Sequence, residues 1–226
     1  MLENQSVRLI ENFTTWQGEG PDCGHAMIIL RFKTCNLKCP WCDTQVKMRV
    51  NAEAPYLLSD IQATIDEKRA GILVTGGEPT VDRHFDETLL LLNLLKYPVA
   101  NVESNGYRLA ELMREAAGSK NIKFIYSPKI FTDKDLTNVM IKTQDLMRSA
   151  FNKLYVKIVW EDGFTDSYCQ WLSNEVKGTV LENRIYLMPE GVTRVDLIKN
   201  SERVFDACEK YKFNFSSRDH VIYGFV

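Results

Sequence analysis

The sequence has no long hydrophobic run. No apolar stretch reaches the roughly 18 to 20 residues that a membrane-spanning helix needs. The richest, "ETLLLLNLLKY", is too short and has amphipathic flanks. The opening "MLENQSVRLIENF" lacks the apolar core of a secretory signal, so a reducing, cytoplasmic location is expected. Charge of one sign is not in excess either: 28 Lys and Arg face 30 Asp and Glu, a net charge of -2. Without a global basic field, nucleic acid is not an expected partner. No Gly/Ser linker, low-complexity tract or repeat of fixed period divides the 226 residues, so one domain over 1–226 is expected. Histidine is scarce, and the three present (His25, His84, His220) lack metal-ligand spacing.

What recurs is alternation. Short β-rich runs lie at 26–32, 71–75, 99–104, 122–127, 153–160 and 184–189, four of them ending at or running into Gly, Pro or Ser. Between most of them lie stretches of helical spacing, at 57–69, 82–96, 107–118, 163–175 and 193–211, with Ser59 and Thr193 placed as N-caps. Strands alternating with helices imply an α/β fold with a parallel sheet and right-handed crossovers. About six units are too few for a closed eight-fold barrel, so a partial, open barrel or a doubly wound sheet fits. In either, ligands bind beyond the C-terminal strand ends. "TGGEP", "ESNG", "SPK" and "MPEG" each follow a β run immediately, and together they read as one active site.

"KTCNLKCPWCDT" then places Cys35, Cys39 and Cys42 within eight residues, while Cys23, Cys169 and Cys208 are scattered and read as ordinary thiols. In a reducing compartment such a cluster points to metal or redox chemistry rather than disulfides. Structural zinc is closed by four ligands. A second knuckle is missing here, and His25 is the alternative fourth ligand. An iron–sulfur cube ordinarily takes four cysteines. With three, one iron is left for an exogenous ligand, the mark of a catalytic centre.

Cx3Cx2C after a β run, with Trp41 before the last cysteine and Gly76-Gly77-Glu78-Pro79 ending the next run, resembles the radical S-adenosylmethionine (SAM) superfamily. Alone, the GGEP turn reads as a β-to-α connection with a helix-initiating proline. The resemblance implies a 4Fe–4S cluster on Cys35, Cys39 and Cys42, with SAM on the remaining iron. It implies further SAM contacts at Trp41, Asp43, Gly76, Gly77 and Glu78, the carboxylate accepting from the methionine ammonium.

"FTTWQGEGPDCGHAMIILRF", taken with "CNLKCPWCDT", "TGGEP", "ESNG" and "SPK", is similar to the 7-carboxy-7-deazaguanine synthase family. That resemblance covers most of residues 8–130 and continues through "MPEG". It implies a partial TIM-like barrel with a radical SAM core, a homodimer, Mg²⁺ and an external electron donor such as flavodoxin. The implied reaction rearranges 6-carboxy-5,6,7,8-tetrahydropterin to 7-carboxy-7-deazaguanine with loss of ammonia, in queuosine-type 7-deazapurine biosynthesis. A 5′-deoxyadenosyl radical takes hydrogen from C6, so no side chain need act as acid or base.

Position by position, the same resemblance assigns Trp16, Gln17, Gly18 and Glu19 to the pterin, and Arg31 to its carboxylate. Without it, "QGEG" reads as a surface turn and Arg31 as a salt bridge. Thr44 is implied as the protein ligand to Mg²⁺, Ser104 as a substrate hydroxyl and Gly106 as a SAM contact. Ser127, Pro128 and Lys129, with Met188, Pro189, Glu190 and Gly191, are implied as SAM-binding segments, and His220 and Val226 as tail residues at the substrate. Thr34 stands where the family usually has Gly, Ser104 where Thr is more usual, the tail "RDHVIYGFV" departs from the pattern, and 131–183 matches little. Two other readings remain open on the residues: an activase that places a glycyl radical on a partner protein, and a non-enzymatic iron–sulfur or zinc binding module.

Overall fold

The computed structural model describes residues 2–42, 44–118, 121–161 and 163–225. They form two compact units, Met1–Trp16 with His25–Phe124, and Gln17–Gly24 with Ile125–Val226. The short Gln17–Gly24 segment thus belongs to the unit built by the C-terminal half.

In the first unit, β1 (Ser6–Leu9) and β2 (Glu11–Trp16) precede β3 (Ala26–Phe32), and α1 (Gln45–Val50) follows the cysteine loop. Next come β4 (Ala54–Leu57), α2 (Leu58–Lys68), β5 (Gly71–Gly76), α3 (Asp82–Leu94), β6 (Ala100–Ser104) and α4 (Leu109–Glu115). β3, β5 and β6 are parallel neighbours, in register at Ile28, Ile72 and Ala100, and β2 closes on β3 as an antiparallel edge. β3 and β5 are apolar almost throughout because both faces are covered. α2 buries Leu58, Ile61 and Ile65, and α3 buries Phe85, Leu91 and Leu92, the stripe that helical periodicity requires.

β1 and β4 form a separate two-stranded antiparallel ribbon. This ribbon overrides the expected cap at Ser59. Leu57 is still paired with Ser6, and the Leu58 N–H donates to the Gln5 carbonyl at 2.9 Å. The strand therefore runs straight into the helix, Leu57 takes the cap position without a side-chain bond, and Ser59 lies inside the first turn.

β6 carries one polar anomaly. Asn101 is fully buried, and neither its amide nitrogen nor its amide oxygen has a hydrogen-bond partner. It pairs across the sheet with Leu73, which packs with Met27 and Ile29. Burying an unpaired amide costs roughly 1–3 kcal/mol. Asn101→Leu is therefore expected to raise Tm by roughly 2–12 °C in a thermal melt. A lowered Tm would show that a buried water completes the amide.

β7 (Ile122–Tyr126) leads into the second unit, where α5 (Asp133–Ala150), β8 (Leu154–Trp160), α6 (Phe164–Glu175), β9 (Ile185–Pro189), α7 (Arg194–Tyr211), β10 (Asn214–Phe215) and α8 (Asp219–Tyr223) follow. β8, β9 and β10 are again parallel neighbours. α7 begins as expected, with the Thr193 hydroxyl accepting the Asp196 N–H at 3.2 Å. All six anticipated strands and all five anticipated helices are present to within a few residues. Among the described residues, no helix is long and apolar enough to cross a membrane.

Candidate active site

The first unit gathers most of the expected chemistry at the C-terminal ends of β3, β5 and β6. The chain leaves β3 as a loop, and Cys35, Cys39 and Cys42 lie on it without a disulfide. The Leu37 N–H at 3.4 Å and Asn105 Nδ2 at 3.9 Å approach the Cys35 sulfur. Among the described residues, no three Cys, His, Asp or Glu side chains gather as a single ion would require. A cluster makes a different demand, one thiolate on each of several irons. Three cysteines outside any disulfide on one non-helical loop fit that donor set.

The Gly-Gly-Glu turn is bolted to this loop. The Gly77 N–H donates to the Phe32 carbonyl at 2.9 Å, and the Glu78 N–H to the Thr34 carbonyl at 2.8 Å. A Cβ on Gly77 would lie 2.1 Å from the Thr34 oxygen and 2.9 Å from the Cys35 nitrogen. The glycine is needed because backbone passes backbone there, not only for access by a ligand. No helix starts at Pro79, since α3 begins at Asp82.

Glu78 is almost wholly buried and collects four donors. Oε1 accepts from the Thr80 N–H (3.0 Å), the Thr80 hydroxyl (2.6 Å) and the Ser104 hydroxyl (2.6 Å), and Oε2 from the Asn105 N–H (2.6 Å). Burial pushes the carboxyl up, against the pull of Ser104, Thr80 and Asn105. A carboxylate offers about four lone-pair sites, so the acceptor capacity left is on Oε2. Ser104, expected as a substrate hydroxyl, gives its proton to Glu78 within this network and also accepts the Gly106 N–H at 2.9 Å.

Arg31, next to last in β3, and Thr44, just after the cysteine loop, are brought together. Arg31 Nη1 donates to Thr44 Oγ1 at 3.2 Å. Glu11 on β2 accepts from Arg31 Nε at 2.6 Å and lies 3.3 Å from Lys47 Nζ, which fixes the guanidinium. Trp41 lies on the cysteine loop, half-buried, and Trp16 is exposed at the end of β2. Asp43 and Val226 lie outside the described residues.

In the second unit the "QGEG" segment is not a surface turn. Gln17 is buried, and its Nε2 has no hydrogen-bond partner. Gly18 packs so closely on His220 that a Cβ would meet the imidazole at 2.3 Å. Glu19 accepts from Lys157 Nζ at 2.5 Å and from Arg218 Nε at 2.8 Å, with His220 Nε2 at 3.7 Å. Burial would raise its pKa, but the charges of Lys157, Arg218 and His220 outweigh that and hold the carboxyl well below the usual range. Arg218 also donates to the Gly191 carbonyl at 2.7 Å, and Asn200 to the Glu190 carbonyl at 2.8 Å, pinning the Met188–Gly191 segment. Lys129 Nζ donates to the Ser127 hydroxyl at 2.7 Å.

Glu11, Thr80, Asn105, Lys157, Arg218 and Glu161 were not anticipated. Glu161, at the end of β8, is pushed up to about 7 by burial and by Glu190, against Lys129. Lys157 carried a signal: a cation in the middle of the apolar run "KLYVKIVW" has to find a buried partner.

A loop of three cysteines after a parallel strand, bolted to a Gly-Gly-Glu strand end, defines an iron–sulfur enzyme of the radical SAM type. The profile of the Radical SAM superfamily matches residues 29–159, more than half of the chain. A relative from Thermoplasma acidophilum named 7-carboxy-7-deazaguanine synthase is 31% identical over 73% of this chain and 79% of its own length. One of the same name from Hyperthermus butylicus is 25% identical over 97% of this chain and 93% of its own. The crystal structure of QueE from Escherichia coli superposes with a TM-score of 0.61 over 96% of this chain and 95% of that one, at 18% identity, which speaks for the shared α/β, partial TIM-like fold. The chain belongs to the 7-carboxy-7-deazaguanine synthase family of radical SAM enzymes.

Proposed function

We propose that this chain converts 6-carboxy-5,6,7,8-tetrahydropterin to 7-carboxy-7-deazaguanine with loss of ammonia. The observation that carries the reading is the Arg31–Thr44 pair. A guanidinium already oriented by Glu11 stands 3.2 Å from a hydroxyl directly after the cysteine loop. A bidentate guanidinium suits a substrate carboxylate, and a lone hydroxyl suits Mg²⁺, which takes few protein ligands and keeps substrate and water in its octahedron.

When bound to Cys35, Cys39 and Cys42, the superfamily's cluster and SAM supply reductive cleavage to a carbon radical. The residues of this chain orient and exclude water around that chemistry. Glu78 Oε2 receives the methionine ammonium, and Ser104 acts by holding Glu78 and Gly106 rather than by touching substrate. Gln17 Nε2, buried and unmatched, is the donor free to meet a pterin acceptor. In this reading 1–226 works as one catalytic domain, as a homodimer in the cytoplasm, reduced by an external donor of the flavodoxin kind.

The deciding assay is anaerobic turnover of the carboxytetrahydropterin with SAM and a reductant, with the product identified by mass. Cluster-replete protein that gives no deazaguanine would sink the substrate assignment. Arg31→Ala is expected to lower kcat/KM for the pterin roughly 10- to 100-fold, the effect of losing a charged hydrogen-bond pair. SAM affinity, read by equilibrium binding, is expected to stay at the wild-type value.

A further inference from the structure

We propose that His84 is a positioning residue for the cysteine loop, acting through the backbone of Thr34 to fix Cys35. His84 is fully buried near the start of α3, and its ring stacks on Phe32 with centroids 4.5 Å apart. Its Nε2 accepts the Thr34 N–H at 3.1 Å. That acceptor role leaves the ring proton on Nδ1, which has no hydrogen bond and faces Glu87 Oε2 at 3.6 Å. Glu87 is held from its other oxygen by the Arg8 N–H at 2.8 Å.

The backbone of Phe32 and Thr34, where the chain leaves β3, is held by hydrogen bonds from the Gly77 N–H to the Phe32 carbonyl, from the Glu78 N–H to the Thr34 carbonyl, and from the Thr34 N–H to His84. The first two are backbone to backbone. The third depends on a side chain, and it acts on the residue immediately before Cys35. Rotation of the Thr34 peptide would turn the Cys35 sulfur away from the Leu37 N–H and Asn105 Nδ2. Hydrogen bonds to cluster sulfurs and the setting of each thiolate govern cluster potential and retention, so the imidazole bears on both. A purely packing role makes a different forecast, because phenylalanine fills the same space and keeps the stack on Phe32.

The test compares His84→Phe with His84→Gln, whose side-chain oxygen reaches about as far as Nε2 and restores an acceptor. Reconstituted protein is challenged with an iron chelator, and the reduced cluster is followed by electron paramagnetic resonance. His84→Phe is expected to release iron about fivefold faster, the equivalent of one lost neutral hydrogen bond, with an altered spectrum. His84→Gln is expected to return both toward wild type. Wild-type behaviour of His84→Phe would overturn the proposal, as would a His84→Gln that behaves like His84→Phe. Should His84→Phe not fold, wild-type iron release by His84→Gln still supports the acceptor role, and fast release by it refutes that role. The inference rests on the cluster at Cys35, Cys39 and Cys42 and not on the pterin. Wild-type protein that binds no iron would overturn both, whereas failed pterin turnover would leave this result standing.

Discussion

Gly77→Ala is expected to abolish cluster retention and to lower turnover at least ~100-fold, the scale of loss when a reacting geometry is displaced by about 1 Å. The added Cβ would lie 2.1 Å from the Thr34 oxygen and 2.3 Å from its carbonyl carbon. Both are backbone atoms, so no rotamer change relieves the clash. The Gly77 and Glu78 N–H groups hold the same stretch at 2.9 and 2.8 Å, so the loop cannot step aside without giving up those bonds. Overpacking of this kind costs typically 1–3 kcal/mol, and the relaxation it forces falls on Cys35. Gly118→Ala is the control: a Cβ there meets nothing within 4 Å, and its effect is expected within about 0.5 kcal/mol. Iron per chain, turnover and Tm are measured on both. Gly77→Ala protein with full iron and activity would show that the cysteine loop is not held by the Gly-Gly-Glu turn.

This result bears on what could be read from the chain alone. The alternation of β-rich and helical runs was legible because β3, β5 and β8 are long apolar strands and α2, α3 and α7 are amphipathic. β1 and β4 were not, because four-residue strands with alternate residues exposed give too short a pattern. α5 escaped as well, although the apolar residues of "DKDLTNVMIKTQDLMRSA" keep helical spacing. Local motifs exposed the cysteine loop and its glycine turn, although the second glycine proves to serve loop packing. The Glu19 cluster could not be paired from sequence, since its partners lie 138 and 199 residues away.

That cluster carries the second large effect. Glu19→Gln keeps the side chain's size and removes the negative charge that Lys157 (4% exposed) and Arg218 (10% exposed) both pair with. Breaking a buried ion pair from one side costs about 3–5 kcal/mol, which corresponds to a Tm lowered by roughly 6–20 °C. Removing the partner as well, in Glu19→Gln with Lys157→Met, is expected to recover part of the loss, because an apolar side chain needs no counter-charge. The pH dependence has a definite sign. Lys157, Arg218 and His220 hold the folded Glu19 pKa below its unfolded value of about 4.3, overcoming the upward push of burial. Its stabilisation is therefore complete above about pH 4.3 and is lost as pH falls through the folded value. Wild-type stability is expected to decline over that acid range, and Glu19→Gln to decline less steeply. The consequence reaches beyond stability, because the Arg218 that pairs with Glu19 also holds the Gly191 carbonyl. In this protein the loop assigned to the pterin and the segment assigned to SAM share one guanidinium. Glu19→Gln is therefore expected to raise KM for both ligands, whereas a Glu19 that only contacted pterin would raise one. An unchanged KM for SAM, with an unchanged melt and acid profile, would reduce the cluster to an ordinary surface ion pair.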